Sequence, residues 1–257
     1  ETFPAFIDTV IHLAALNELD CLKYPSDAIR VNIDETRIIL ENSIAGNVEQ
    51  FVYFSTAHIY GAPLQGTISE EALPQPIHPY AITHRAAEDY VVAAVRQNRI
   101  RGTVFRLSNS FGAPISPAVN RWTLLANDLC RQAVEKGKLT LHSNGCQFRD
   151  FVCLSDVEET VVQLLNRAKD NHHIIYNLGS GNSIRVIDMA EAILGSAISV
   201  LKKDIRLEKP IGSAPSDEPR LNYSINRLLS EGYKIQNDVG LELKRLLLFC
   251  ADHFSPL

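Results

Sequence analysis

The 257-residue sequence lacks the marks of several large protein classes. No apolar run approaches the ~20 residues that a membrane-spanning helix needs, and no charged n-region with an apolar h-region opens the chain. Its five cysteines, Cys21, Cys130, Cys146, Cys153 and Cys250, are odd in number and widely spaced, with no Cys-x-x-Cys pair. A disulfide framework and a zinc site are therefore not expected; reduced thiols in a cytoplasmic setting are. No metal centre is expected elsewhere. A formal net charge of -5 argues against a basic nucleic-acid-binding surface. No internal repeat or low-complexity stretch interrupts the chain. With 46% hydrophobic and 21% charged residues, it has the composition and length of a globular protein with a substantial core.

What is there reads as strands alternating with helices. Residues 9–15 (Thr-Val-Ile-His-Leu-Ala-Ala) read as a buried strand running into small residues. Residues 27–45 have helical periodicity, with Ile29, Ile33, Thr36, Ile39 and Leu40 near one face, and Gly46-Asn47 stops them. Phe51-Val52-Tyr53-Phe54 is a continuous apolar strand, as expected where both faces of a parallel sheet are covered. Pro79 suits the start of a helix, and residues 80–97 are amphipathic. Residues 103–107 form the next strand. This alternation predicts an α/β fold with a doubly wound parallel sheet. Further on, the sequence predicts a helix over 122–136, a short strand over 139–141 and a helix capped by Asp156 that runs through Ala168. A strand over 174–178 and helices over 186–194 and 241–254 complete the pattern.

Tyr80 and His84 lie four residues apart, on one face of their helix. Upstream, the apolar strand ends in Ser55-Thr56. A tyrosine, a hydroxyl neighbour and a base one turn away are the parts of a proton-transfer site. Spacing alone leaves open a plain helix N-terminus with a surface histidine.

Several stretches, taken in order, carry a resemblance. They are Val10-Ile11-His12-Leu13-Ala14-Ala15, Asn32 in its helix, Phe51 to Gly61 with its Ser-Thr-x-x-Ile-Tyr-Gly ending, and Pro79-Tyr80. Arg106 to Gly112, Arg149-Asp150-Phe151-Val152 and Tyr176 to Gly181 follow. Together they resemble the extended short-chain dehydrogenase/reductase superfamily, in its NAD-dependent epimerase/dehydratase group acting on nucleotide sugars. The resemblance covers nearly the whole chain. It implies a Rossmann-type cofactor domain over 1–112 and 146–182, and a smaller C-terminal substrate-binding lobe over 113–145 and 183–257. It implies NAD or NADP as cofactor, a nucleoside-diphosphate sugar as substrate, and a homodimer through the helices over 27–45 and 80–97. Tyr80 takes the catalytic position, removing a proton from a sugar hydroxyl while hydride passes to the nicotinamide. Thr56 takes the place of the hydroxyl that orients the sugar oxygen, and His84 that of a catalytic lysine. Ala14, Ala15, Asn32, Ser55, Tyr80 and His84 stand at cofactor positions. His58, Asn109, Arg149 and Arg220 stand at substrate positions, where the forked guanidinium of an arginine suits diphosphate oxygens.

Three departures qualify what the resemblance implies. The glycine-rich turn that receives a pyrophosphate is absent, because no glycine precedes Thr9. The sheet is thus expected to be N-terminally incomplete, with about two strand–helix units, on the order of 60 residues, preceding it in a longer protein. A chain starting at Glu1 is then expected to bind a dinucleotide weakly. The second departure is Ala57-His58, where dehydratases of the group carry an Asp-Glu pair. Alanine is no acid, so epimerisation or keto reduction is expected rather than 4,6-dehydration. The third is Tyr80-x-x-x-His84 in place of Tyr-x-x-x-Lys. A fixed ammonium about 5 Å away, at a dielectric near 20, favours the phenolate by roughly 3 kcal/mol, or about 2 pKa units. An imidazole of ordinary pKa is only about one-quarter protonated at neutral pH. The expected function is an NAD(P)-dependent nucleotide-sugar epimerase. An NAD(P)H-dependent 4-keto nucleotide-sugar reductase and a catalytically silent nucleotide-binding relative are the alternatives.

Overall fold

A computed structural model describes residues 7–167, 172–210 and 218–255. The first part of the chain gives β1 (Thr9–His12), α1 (Glu18–Lys23), α2 (Pro25–Ala28), a π-helical stretch (Ile29–Glu35) and α3 (Thr36–Ala45). Then come β2 (Gln50–Thr56), a 3₁₀ turn (Ala57–Tyr60), β3 (Gly66–Ile68), α4 (Pro79–Arg96) and β4 (Arg101–Leu107). The middle comprises β5 (Asn109–Phe111), α5 (Leu125–Lys136), β6 (Lys138–Thr140), β7 (Phe148–Cys153), α6 (Leu154–Asn166) and β8 (Ile175–Leu178). It ends with β9 (Ser183–Arg185), α7 (Val186–Leu201), β10 (Arg206–Glu208), β11 (Leu221–Tyr223), α8 (Asn226–Ser230) and α9 (Val239–Phe254).

The main sheet is parallel throughout, in the order β1-β2-β4-β8. Strand periodicity sends alternate side chains of β2 to opposite faces. Phe51 and Tyr53 pack with Leu40 of α3 and with Ala87 and Val91 of α4. Val52 and Phe54 pack with Val157 and Leu164 of α6 and Leu228 of α8. Helices thus cover both faces, β2 is buried along its whole length, and the fold is the expected α/β, Rossmann-type arrangement. A second core joins α5, α7 and α9, through Leu129, Ala133, Met189, Ile193, Leu246 and Leu247. Three small sheets tie the two cores together: β6 with β10, β3 with β11, and β7 between β5 and β9.

Four sequence expectations need correction. β1 stops at His12 and pairs only with β2, so the edge strand is not buried throughout: Ile11 is 38% and Leu13 67% exposed. The helix over 27–45 is broken by the π-helical stretch. There Asn32 turns inward, its Oδ1 accepting from Leu16 N at 2.8 Å and its Nδ2 donating to Thr83 Oγ1 at 2.9 Å. Local propensity cannot register such a bulge, because partners 16 and 51 residues away fix it. Asp156 does not cap its helix. Cys153 holds the N-cap position, and the buried Asp156 carboxylate accepts from Gln236 N and Asn237 N at 2.8 and 2.9 Å. α6 ends at Asn166, and Ala168 lies outside the described residues. The helix after β9 continues seven residues past the expected end at Leu194, because Ala197 adds another buried contact on the same face.

Candidate functional site

Parallel strands of one sheet point their carboxyl ends the same way, and ligands of such folds bind there. β2 ends at that edge in Ser55-Thr56. Thr56 has extended backbone angles, and its Oγ1 accepts from His58 N at 3.2 Å, which caps the 3₁₀ turn and fixes the hydroxyl. α4 starts beside it: Pro79 occupies the first turn, and the His78 ring accepts from Tyr80 N at 3.2 Å. Tyr80 and Thr56 line one cavity of about 280 Å³, together with Ser55, His58, Asn109, Glu18 and Arg121. Burial pushes the Tyr80 phenol up to about 12. Glu18 acts in the same direction, while Arg121 and a hydrogen bond with Thr56 oppose it.

A second cavity, of about 320 Å³, shares His58 and Asn109 with the first and adds Phe148, Arg149 and Glu218. Arg149 sits on β7 and is exposed. Its neighbour Asp150 is buried, accepting from Ser108 Oγ at 2.6 Å, from Ser180 N at 2.8 Å and from Ser180 Oγ at 2.8 Å. An ordinary Arg149–Asp150 pair at the strand end is therefore not how that carboxylate is used. Asn109 is held by donating to Asp150 O at 2.9 Å. The Arg220 guanidinium lies 5.9 Å from the Phe148 ring centroid, and its chain neighbours Pro219 and Leu221 line the second cavity. A larger hollow of about 520 Å³, beside Gln50, Gly102 and Ile174, lies where the strands begin, the opposite edge from Tyr80.

His84 does not stand on the surface. It is 3% exposed, and its Nδ1 shares a 2.8 Å hydrogen bond with the Tyr53 hydroxyl. Burial raises the Tyr53 pKa well above that of an ordinary tyrosine, so Tyr53 stays a phenol and donates to Nδ1. That leaves the His84 proton on Nε2. Desolvation lowers the His84 pKa to about 3, so the expected one-quarter protonation is corrected to a neutral ring at physiological pH. Its ring meets Tyr80 edge-on at 4.4 Å between centroids. Two buried polar atoms close to this site have no hydrogen-bond partner among the described residues, His84 Nε2 and Ser55 Oγ.

Of the other expected cofactor positions, Ala14 and Ala15 follow the end of β1, with Ala14 exposed. Asn32 is buried beneath the segment after β1, bonded to Leu16, Cys21 and Thr83. Sequence reasoning missed Tyr53, Glu18 and Arg121. Tyr53 reads as one more apolar strand residue. Glu18 and Arg121 are 103 residues apart, and no local pattern joins them. Among the described residues there is no His, Cys, Asp and Glu cluster fit to hold a metal ion, and no helix long and apolar enough to cross a membrane.

The family model for the NAD dependent epimerase/dehydratase family matches residues 1–179. The chain is 28% identical to human dTDP-D-glucose 4,6-dehydratase over 191 residues, covering 73% of this chain and 52% of that protein. It is 25% identical to a UDP-glucose 4-epimerase from Streptomyces lividans over 201 residues, covering 72% of this chain and 59% of that one. The chain thus spans little more than half the length of these curated relatives. In shape it is similar to the UDP-glucuronic acid 4-epimerase of Bacillus cereus, solved in complex with UDP-glucuronic acid and NAD. The TM-score is 0.77 at 22% identity, over 96% of this chain and 76% of that one. By its sequence match and its Rossmann-type fold, the chain belongs to the NAD-dependent epimerase/dehydratase family.

Proposed function

We propose that this chain works as an NAD(P)-dependent nucleotide-sugar epimerase with Tyr80 as its acid/base. The observation that carries the reading is the placement of the Tyr80 phenol and the Thr56 hydroxyl in one cavity that opens beside Asn109 and Arg149. In this reading Tyr80 acts as its phenolate, taking a proton from a sugar hydroxyl, and Thr56 donates to the same oxygen and orients it. Asn109, His58 and Arg149 receive the nucleoside diphosphate, with Arg220 at the rim. The division of labour is a cofactor domain over 1–112 and 146–182 and a substrate lobe over 113–145 and 183–257. A homodimer through α3 and α4 belongs to the same proposal.

The residues present fit the nicotinamide end of a dinucleotide beside Tyr80. Ser55 Oγ and His84 Nε2 are buried polar atoms without partners, and such atoms cost free energy until something bonds them. With Ala14 and Ala15 they would hold the cofactor, whose contribution when bound is to accept and return a hydride, while Asn32 would act only by fixing the segment after β1 through Leu16. Ala57 is 3% exposed and brings no acid to the place where dehydratases need one. Glu18, the acidic residue lining the Tyr80 cavity, is ion-paired to Arg121. Epimerisation is therefore favoured over 4,6-dehydration, although the relatives include 4,6-dehydratases.

A thermal-shift panel of NAD, NADP and uridine or thymidine diphosphate sugars on the full-length gene product tests the reading. A ligand at a hundred times its Kd stabilises by about 2.7 kcal/mol, and the largest shift identifies cofactor and base. Tyr80→Phe should keep that shift and lose roughly 10²–10⁴-fold in turnover. Cofactor retained through purification supports an epimerase. NADPH oxidation driven by a 4-keto sugar would replace it with the ketoreductase, and turnover absent despite binding would replace it with a silent relative.

A further inference from the structure

The groups that face the Tyr80 phenol come from several elements. Glu18 and Cys21 lie on α1, Tyr53 and Thr56 on β2, His58 on the 3₁₀ turn, His84 on α4 itself, and Arg121 in the segment before α5. Desolvation holds His58 and His84 below, and Cys21 and Tyr53 above, their ordinary pKa values. All four are neutral at physiological pH, and the charged members are Glu18 and Arg121. Their side chains meet at the cavity, Oε2 to Nη1 at 3.4 Å, and each is 42% exposed.

We infer that the Glu18–Arg121 ion pair controls the readiness of Tyr80 to release its proton: Arg121 supplies the positive charge that position 84 does not carry, and Glu18 holds that charge in check. A guanidinium stays protonated at every pH a protein meets, so its effect does not fade as an imidazole's does. The pair stands on the cavity side of Tyr80, whereas His84 packs against the ring from within α4. Two oppositely charged groups from distant parts of the chain thus bear on one phenol. Arg121 is here a positioning residue acting through Tyr80. The inference rests on the reading of Tyr80 as the proton-transfer residue.

Nuclear magnetic resonance of ring-labelled tyrosine, with Tyr80→Phe to assign the signal, tests it in the protein without added ligand. Below its midpoint a phenol's ionised fraction changes tenfold per pKa unit, so the reading is taken at about pH 10, short of the midpoint. Glu18→Gln should raise the Tyr80 phenolate fraction about tenfold, a half-exposed charge being worth roughly one pKa unit. Arg121→Gln should lower it, and the Glu18→Gln, Arg121→Gln double variant should restore it. An unmoved signal in both single variants overturns the inference. Movement in one common direction also overturns it, since lost structure, unlike lost charge, has no sign. No substrate enters the measurement. Failure here removes the ion-pair account alone, while an intact titration in a protein inert toward nucleotide sugars removes only the epimerase reading.

Discussion

At the scale of single residues, His84 shows how burial overrides a residue's ordinary chemistry. The ring is 3% exposed, and desolvation lowers its pKa to about 3. In the unfolded chain the same group titrates near 6.5. As pH falls, the unfolded state therefore takes up the proton first, and folding loses ground. The stability associated with the neutral ring is complete above about pH 6.5 and drains away toward about pH 3, on the order of 5 kcal/mol in all. His12, also lowered by burial, adds a loss of the same sign. His84→Gln keeps a polar group opposite Tyr53 but cannot titrate. Urea midpoints measured across this range should fall less steeply for His84→Gln than for wild type, and parallel curves would show that burial does not lower the His84 pKa.

At the scale of elements, α4 carries polar groups on one stripe, because Tyr80, His84 and Glu88 recur every four residues. Tyr80 faces the cavity, His84 bonds Tyr53 of β2, and Glu88 pairs with Arg106 of β4. Glu88 and Arg106 are 0% and 2% exposed, and Arg106 Nη1 also donates to Tyr60 OH at 2.7 Å. Removing one partner strands the other charge in the interior. Glu88→Ala should therefore destabilise the fold by about 3–5 kcal/mol, whereas Glu88→Leu combined with Arg106→Met should recover much of it. Denaturant unfolding of the three proteins checks this, and a Glu88→Ala loss below about 1 kcal/mol would refute a buried ionised pair. The same helix shows what the sequence made legible. Continuous apolar runs such as 51–54 and Pro79 at the helix start expose strand and helix directly, since local sterics and burial write them. The Glu88–Arg106 pair, the Tyr53–His84 bond and the turn of Asn32 toward Leu16 were not legible. Each depends on which distant elements come into contact, and a charged residue in an amphipathic helix reads as a solvated one.

At the scale of the molecule, the parallel sheet and the α5–α7–α9 core account for most of the buried apolar side chains, but α3 and α4 keep a second face. Their inner residues Leu40, Ala87 and Val91 pack on the sheet. On the same helices Ile38, Ile82 and Tyr90 stand 37%, 48% and 46% exposed. Single exposed apolar residues are ordinary, but these are spread over two helices in mutual contact, the helices of the homodimer proposed above. Two copies meeting there would bring two helices from each into one four-helix contact. Charging that surface separates the two outcomes. Ile82→Asp with Tyr90→Asp touches no core residue, so each change should alter the stability of an isolated monomer by no more than about 0.5 kcal/mol. In a dimer the same changes place carboxylates opposite each other at the contact and should shift sedimentation velocity from a dimer to a monomer boundary. A wild-type protein that sediments as a monomer at tens of micromolar would overturn the homodimer, and a double variant that stays dimeric would move the contact away from α3 and α4.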